Sequence, residues 1–325
     1  MRSKSKPPVL FCLFGPTASG KTELLFKLFN SHNAEVISAD SMQVYRGMDI
    51  GTAKPSRRQR ELLVHHLLDI KTPDQRYHVG EFVQSADALT ARISAAGRLP
   101  VVCGGTAFYI RTLLCGLPQA PAASPEVRAR LVQRLQSEGL DALYAELCRV
   151  DPESSAHIAP ADRYRIVRAL EIYHSCGVPR SQFVRPVSLR ADVAPLIIAI
   201  DRPRTELYQR INRRVRCMFE QGLVDEVQAL AAAGYGPDAP GLRAIGYREF
   251  FEHPRIAAEG LAAARDPEVA GAIETAIARN SRRYAKRQLT FFRQMPSVQW
   301  VGADSHQLIA ERVAPLLHGN DATGA

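Results

Sequence analysis

The sequence predicts an α/β protein in which a parallel sheet is flanked by helices and interrupted by a helical insertion. Three observations carry that expectation. Short apolar runs at residues 9–14, 34–40, 99–103 and 196–200 are followed by polar or glycine-rich turns and, for most of them, by helical spacing, the alternation that builds parallel sheets. The first run leads directly into Gly15-Pro16-Thr17-Ala18-Ser19-Gly20-Lys21-Thr22, which fits GxxxxGK[ST] at every fixed position. Between the third and fourth runs lies a stretch, residues 125 to about 188, that is helical in pattern and dense in arginine.

The glycine-rich loop makes this a P-loop NTPase-like sheet. A buried strand delivers the chain to a turn whose glycines let backbone N–H groups converge on an anion, and residues 23–29 continue with helical spacing, so phosphate oxygens belong at that helix start. Lys21 is the point charge for the outermost phosphate, and the Thr22 hydroxyl is the expected ligand of a Mg²⁺ bridging two phosphates. The loop implies a diphosphate or a triphosphate without deciding between them.

Composition bounds the rest. At 325 residues, with 46% hydrophobic and 23% charged residues, the chain is an ordinary globular protein, long enough for one large domain plus an insert, and neither disordered nor a coiled coil. Lys plus Arg number 42 against 33 acids, a net charge of +9, which points to a polyanionic partner or a very basic solvated surface. Six cysteines show no CxxC pair and no Cys/His ligand spacing, so free thiols in a reducing compartment are expected. The basic start at residues 1–8 has no signal-peptide apolar core behind it, and no run approaches a membrane span. A cytoplasmic location, no membrane partner and a monomer are the corresponding expectations.

Taken in order, the second run ends in Asp40, and a carboxylate at the carboxyl end of a strand adjacent to the P-loop strand faces the ligand crevice of an open α/β sheet. An N-cap role is the alternative, but Ser41 and Gln43 add further donors and acceptors to that loop. Residues 45–55, rich in glycine and closed by Pro55, read as a binding loop. His65 and His66 cannot face the same way on a strand, so packing is expected of them rather than metal ligation. Residues 77–96 have helical spacing through Phe82, Ala86, Leu89 and Ile93, and the next run, read as the third strand, ends in Gly104-Gly105-Thr106, where backbone can approach a ligand closely. Proline and alanine at 117–124 mark a boundary. The expected division is 1–117 and 191–318 for the core, 118–190 for the helical insert, and a frayed tail at 319–325. The insert carries Arg128, Arg130, Arg134, Arg149, Arg163, Arg165, Arg168, Arg180 and Arg185. Beyond it, a helix from Thr205 sets Arg210, Arg213, Arg214 and Arg216 against an apolar stripe of Ile211, Val215 and Phe219. Residues 241–249 are a glycine-punctuated basic patch, and a long helix at 268–293 interleaves cations with aromatics in its second half. That pattern suits an RNA backbone with splayed bases, or simply a solvated basic face.

In combination these motifs resemble the bacterial tRNA dimethylallyltransferase family: the P-loop, then Asp40-Ser41-Met42-Gln43-Val44-Tyr45, Gly51-Thr52-Ala53-Lys54-Pro55 and Gly104-Gly105-Thr106, followed by DxxRxxRALE at 162–171, RxIGYxE at 243–249 and KRQxTWxR at 286–293. The resemblance spans nearly the whole chain. It implies that the loop residues Gly15, Pro16, Thr17, Ala18, Ser19, Gly20, Lys21 and Thr22 hold dimethylallyl diphosphate, with Mg²⁺ on Thr22 and Arg210 or Arg214 helping with the diphosphate. It implies Asp40 as general base and Thr106 beside a flipped adenine, the acceptor being the exocyclic amine of the adenosine 3′ of the anticodon. Contacts to the tRNA anticodon stem-loop are implied for Asp40, Ser41, Met42, Gln43 and Thr106. They are implied also for Arg128, Tyr164, Arg165, Ile166, Val167 and Arg168 of a tRNA-binding insert, for Arg243, Ala244, Ile245, Gly246, Tyr247 and Arg248, and for Lys286, Arg287, Gln288, Leu289, Thr290, Phe291, Phe292 and Arg293. The sequence departs from the family pattern at Ala161, at Ala107-Phe108 and at Phe291, where tryptophan is usual, and it lacks the zinc finger that closes eukaryotic relatives.

The chemistry fits independently. An allylic diphosphate leaves readily because the developing cation is delocalised, so loop amides, Lys21 and a helix-borne arginine need only stabilise the departing charge. A carboxylate can take the amine proton as the new bond forms. The competing enzyme is a P-loop small-molecule kinase using ATP, with Asp40 activating a hydroxyl; excess arginine and a basic insert speak against it. A P-loop RNA remodeller and a prenyltransferase acting on free adenine nucleotides are further alternatives.

Overall fold

β1 (Val9–Phe14) lies at the heart of the core because its side chains serve two interiors: Leu10, Cys12 and Phe14 pack into one layer, Phe11 and Leu13 into the other. The structure is a computed structural model that describes residues 7–30, 32–121, 124–184 and 186–318; Arg185 and the segment 319–325 lie outside the described residues. After β1 come α1 (Lys21–Leu28), β2 (Ala34–Ala39), α2 (Arg57–Leu62), β3 (His65–His66), α3 (Val79–Ala95), β4 (Leu99–Gly104) and α4 (Ala107–Cys115). The described chain divides into two units, Gly116–Val187 and the remainder.

The unit Gly116–Val187 is built from α5 (Pro125–Ser137), α6 (Gly139–Val150), α7 (Pro152–His157) and α8 (Arg163–Cys176). Ser124, Asp151 and Asp162 cap three of these helices with side-chain oxygens on backbone N–H groups, satisfying donors the first turn leaves unpaired. Its interior is Leu131, Leu143, Leu147, Ile166, Ala169 and Leu170, with Val127 and Ile158.

The remaining elements belong to the other unit: β5 (Ala194–Asp201), α9 (Arg204–Glu220), α10 (Leu223–Ala232), α11 (Arg248–Phe251), α12 (Pro254–Glu259), α13 (Pro267–Phe292), β6 (Gln299–Gly302) and α14 (His306–His318). Its six strands form one sheet in the order β3-β2-β4-β1-β5-β6, and every pairing is parallel. One face is covered by α3, α4 and the end of α13, the other by α1 and α14. A separate apolar cluster joins α9, α10 and α13.

Two expectations change here. The histidine pair forms a short edge strand, so residues 99–104 are the fourth strand along the chain. That strand lies between β1 and β2, so Asp40 follows a strand one removed from the P-loop strand; the crossover through α3 returns the chain to the middle of the sheet. In α9 the expected stripe holds: Ile211 and Val215 are buried, Phe219 packs partly buried against the same cluster, and Leu207 and Met218 complete the face.

Phe292, implied as an RNA contact, stacks on Phe14 with ring centroids 4.6 Å apart and has no exposed surface. It closes the core beneath β1, so it offers RNA nothing. Phe292→Ala is expected to cost about 3–5 kcal/mol of stability, read as a lowered urea midpoint, while the salt dependence of RNA binding stays at its wild-type slope.

Candidate active site

Residues 15–22 wrap the carboxyl end of β1. Gly15 must lack a side chain: a Cβ there would lie 2.9 Å from Ser19 Oγ and 3.1 Å from the Ile200 carbonyl. Ala18 at φ 62° and Gly20 at φ 101° both take the left-handed conformation, which tightens the loop until the Ser19 amide donates to Pro16 O at 3.2 Å. Such backbone, costly for alanine, is held where the surroundings enforce it. Three arginines do the enforcing. Arg202 Nε donates to Ser19 O at 3.3 Å, Arg210 Nε to Ala18 O at 2.9 Å, and Arg214 Nη1 to Thr17 Oγ1 at 3.4 Å. Arg210 also pairs outward with Glu23, whereas Arg214 lines the cavity. The structure therefore separates the two arginines: Arg214 faces the space a ligand would fill, and Arg210 braces the loop from outside.

Lys21 folds back on its own loop, donating to the Gly15 and Pro16 carbonyls at 3.0 and 2.8 Å. Burial, with Arg214 nearby, pulls its ammonium group down to about 8, against the opposing influence of Cys103 and Asp40. Ser19 Oγ is buried with no hydrogen-bond partner among the described residues, an unmet acceptor and donor inside an anion loop. Thr22 stands at the cavity margin.

Facing the loop is a second group of polar residues. Asp40 Oδ1 accepts the amides of Met42 (2.9 Å) and Gln43 (3.3 Å), which fixes the carboxylate in a turn at the end of β2. Thr106 Oγ1 accepts the Ser41 amide at 2.9 Å, and the Thr106 amide donates to Ala39 O at 3.1 Å, so the Gly-Gly-Thr turn is bolted to the Asp40 loop. This needs Gly104, since a Cβ there would lie 2.2 Å from the Ala39 carbonyl oxygen. Gln43 Nε2 holds the carbonyls of Thr52 and Ala53 at 3.3 Å each.

One cavity of about 310 Å³ joins these parts: Thr17, Lys21, Thr22, Arg214, Asp40, Ser41, Met42, Gln43, Gly104 and Gly105 line it. Its apolar wall is Ile211, Val215 and Met218 of α9 with Ile277 of α13. Two α13 residues tie the P-loop side of the cavity to the Gly104-Gly105-Thr106 turn. Gln288 Oε1 accepts the Thr17 amide at 2.9 Å while its Nε2 donates to Gly105 O at 2.6 Å. Tyr284 donates to the same carbonyl at 3.4 Å, and burial, then the Asp40 carboxylate, push its phenol up to about 12, so it stays a donor. Tyr284 was not among the sequence candidates, and Gln288 was there only as an RNA contact. The signal was the spacing of 277, 281, 284 and 288, one face of a helix, and all four residues line the cavity.

The other candidates separate by exposure. Lys286, Arg287 and Thr290 of α13 and Arg293 at its C-cap are exposed, with Leu289 and Phe291 partly buried. Gln288 is buried, so its role is in the cavity. In the 243–248 patch Arg243 is exposed and Ile245 and Arg248 partly so, but Ala244 and Gly246 are buried and Tyr247 has no exposed surface. Tyr247 is thus corrected from an RNA contact to an internal one, its hydroxyl donating to Glu226 at 2.6 Å. In the helical unit, Tyr164 is 79% exposed and Arg165 is exposed, Val167 and Arg168 are partly buried, and Ile166 is core. Arg128 and Arg168 both pair with buried Glu171. Burial would raise that carboxyl; the two guanidiniums outweigh it and hold it below its ordinary value. Both arginines are therefore partly neutralised within the protein.

Set against known proteins, residues 43–295 match the family model described as IPP transferase, and residues 8–72 match one described as isopentenyl transferase. This chain belongs to the IPP transferase family. A tRNA dimethylallyltransferase from Syntrophobacter fumaroxidans is 42% identical over 98% of this chain and 91% of its own. One from Geobacter sulfurreducens is 43% identical over 92% of each. Among solved family members, the full-length tRNA isopentenylpyrophosphate transferase of Bacillus halodurans superposes with a TM-score of 0.63 at 36% identity, covering 97% of this chain and 98% of that one. A eukaryotic dimethylallyltransferase solved acting on tRNA gives a TM-score of 0.75 at 23% identity, over 97% of this chain and 85% of that one, and shares the fold. The α/β, P-loop NTPase-like class read from the sequence is the class these structures have. No described helix is long and apolar enough to cross a membrane.

Proposed function

We propose that this transferase moves a dimethylallyl group from dimethylallyl diphosphate to the exocyclic amine of the adenosine 3′ of the anticodon in tRNA. The observation that carries the reading is the single cavity in which an anion loop, a fixed carboxylate and an apolar wall meet. A kinase has no use for Ile211, Val215, Met218 and Ile277 beside its phosphates; a branched five-carbon chain does.

In the proposed reaction the allylic C–O bond breaks and the electron pair leaves with the diphosphate. Loop amides and Arg214 receive that charge, and the Lys21 ammonium group joins them by turning from the Gly15 and Pro16 carbonyls to the departing phosphate. The adenine amine attacks the allylic carbon, and its proton passes to Asp40, whose second oxygen carries no hydrogen bond among the described residues. Thr106 positions the Asp40 loop through Ser41, and Tyr284 and Gln288 keep the two halves of the cavity in register. No described cluster of three His, Cys, Asp or Glu residues could hold a metal by itself. The donor set, Thr22 alone at an anion loop with an unpaired Ser19 hydroxyl, fits Mg²⁺ arriving with the diphosphate, where it would neutralise leaving-group charge.

The test is purified protein with Mg²⁺ and unmodified tRNA, offered dimethylallyl diphosphate or ATP, and digested nucleosides examined by mass. Prenylated adenosine only with the allylic donor is the expected result; ATP consumed with no addition to RNA would hand the site to a kinase. The exposed cations of α13 supply RNA positioning through phosphates. Arg287→Ala with Arg293→Ala is expected to weaken tRNA binding and to reduce the slope of log affinity against log salt by about one for each phosphate that the two guanidiniums neutralise. An unchanged slope would remove α13 from the RNA surface.

A further inference from the structure

Glu226 of α10 accepts hydrogen bonds from three consecutive backbone amides, Asp49 (2.8 Å), Ile50 (2.7 Å) and Gly51 (3.1 Å), and from the Tyr247 hydroxyl (2.6 Å). Successive amides converging on one anion form a nest of the kind that elsewhere binds phosphate; here the chain fills it with its own carboxylate. The Tyr247 ring lies directly under Gly51, where a Cβ would meet ring carbons at 2.5 Å, so the loop sits down on the ring only because residue 51 has no side chain. At the far end Lys54 anchors the same loop, its buried ammonium group shared by Asp49, Asp69 and the Tyr45 carbonyl.

Between these anchors, Gly51, Thr52 and Ala53 line the cavity. The Thr52 carbonyl accepts Arg214 Nη2 at 3.4 Å, and the other terminal nitrogen of Arg214 reaches Thr17 Oγ1 in the P-loop at 3.4 Å. A continuous path therefore runs from Glu226 through three amides and one carbonyl to the arginine that faces the proposed diphosphate. We propose that Glu226, held by Tyr247, is a positioning residue for donor binding: it sets the 49–53 loop so that Thr52 aims Arg214 at the leaving group. The proposal rests on the reading that this cavity takes the donor diphosphate. Burial, and then the Glu226 carboxylate, push the Tyr247 phenol far above its ordinary value, so it remains a hydrogen-bond donor at every working pH.

The experiment compares full-length wild type, Glu226→Gln, Tyr247→Phe, Arg214→Ala and the Glu226→Gln/Arg214→Ala double variant. It measures KM for dimethylallyl diphosphate, KM for tRNA, kcat, thermal midpoint, and the affinity for inorganic diphosphate. Glu226→Gln keeps the shape but turns one acceptor into a donor facing amides; donor KM and the diphosphate Kd are expected to rise roughly tenfold, with Tyr247→Phe giving roughly threefold, while KM for tRNA moves by less than about twofold. Because the effect passes through Arg214, Glu226→Gln should add little in the Arg214→Ala background. A lowered thermal midpoint with donor KM and diphosphate Kd unchanged in both Glu226→Gln and Tyr247→Phe would make the nest a stability feature and overturn the proposal, as would full additivity with Arg214→Ala. Wild type that binds no diphosphate at all would overturn the site reading itself, and the proposal with it.

Discussion

Replacing Asp40 with alanine or asparagine lowers turnover by roughly two to four powers of ten, the usual worth of a positioned general base, while the affinity for inorganic diphosphate stays within about threefold of wild type. The two variants separate chemistry from architecture. Asparagine keeps a side-chain oxygen for the Met42 and Gln43 amides, so the turn after β2 survives, but it cannot take a proton. Alanine removes both. Equal losses in single-turnover rate place the deficit in proton transfer; a larger loss for alanine measures what the turn contributes to positioning. Asparagine at the wild-type rate would sink the assignment, because nothing else at that position of the cavity wall accepts a proton from an amine.

The second large effect is on pH. Without a bound anion Lys21 is held near 8 by burial and by Arg214, and its ammonium group is spent on two loop carbonyls. A bound diphosphate favours the charged form and raises that value. Between about 8 and the bound value, the complex holds a proton the free enzyme lacks, so binding takes one up. Donor affinity is therefore fully present below about pH 8 and falls as pH rises, by up to tenfold per unit. The second ionisation of a phosphate ester, near pH 6, lies below this window and adds no slope of its own. Calorimetric titration of dimethylallyl diphosphate, an ester without the late ionisation of inorganic diphosphate, from about pH 7 to about 9.5 in buffers of different ionisation enthalpy, reads both the slope and the proton. Lys21→Met should bind far more weakly and lose the slope; a slope kept in that variant would assign the titration elsewhere. For stability the sign is opposite. A lysine whose folded value is depressed gives up its proton in the native state first, so stability rises with pH between about 8 and the unfolded value, and Lys21→Met removes that rise.

The P-loop was legible because its constraints are local. Gly15 is required by the tight approach of Ser19 within the same loop, Gly20 by its left-handed backbone, and Lys21 by reach along its own loop. Asp40 was legible for the same reason, as the residue that ends an apolar run. What misled was adjacency in the sheet. Nothing in residues 34–40 says that a strand much later in the chain slides between β2 and β1, and that insertion is what brings Gly104-Gly105-Thr106 against the Asp40 loop. The basic patches misled in another way. Motif and composition do not see which face is down: helical geometry turns Ile166 and Phe292 away from exposed neighbours, and the turn before α11 points Tyr247 inward between exposed Arg243 and partly exposed Arg248.

Residues acting at a distance in sequence were out of reach for a further reason. Gln288 bridges Thr17 and Gly105, Glu226 fills a nest built by residues 49–51, and Arg214, not Arg210, turns inward. Each depends on a helix far along the chain, α9, α10 or α13, arriving at one rotation, and a change of about 100° about its axis would present a different side chain. By itself, then, the sequence determined the parallel α/β class, the anion loop, the carboxylate that ends β2 and the family, because these rest on short-range backbone geometry and on motifs read in order. The tertiary structure alone decided which arginine faces the cavity, which cationic residues stay exposed, and how the two sides of the cavity are locked together, because those outcomes are set by the packing of α9, α10 and α13, where elements far apart in the chain share one cavity wall.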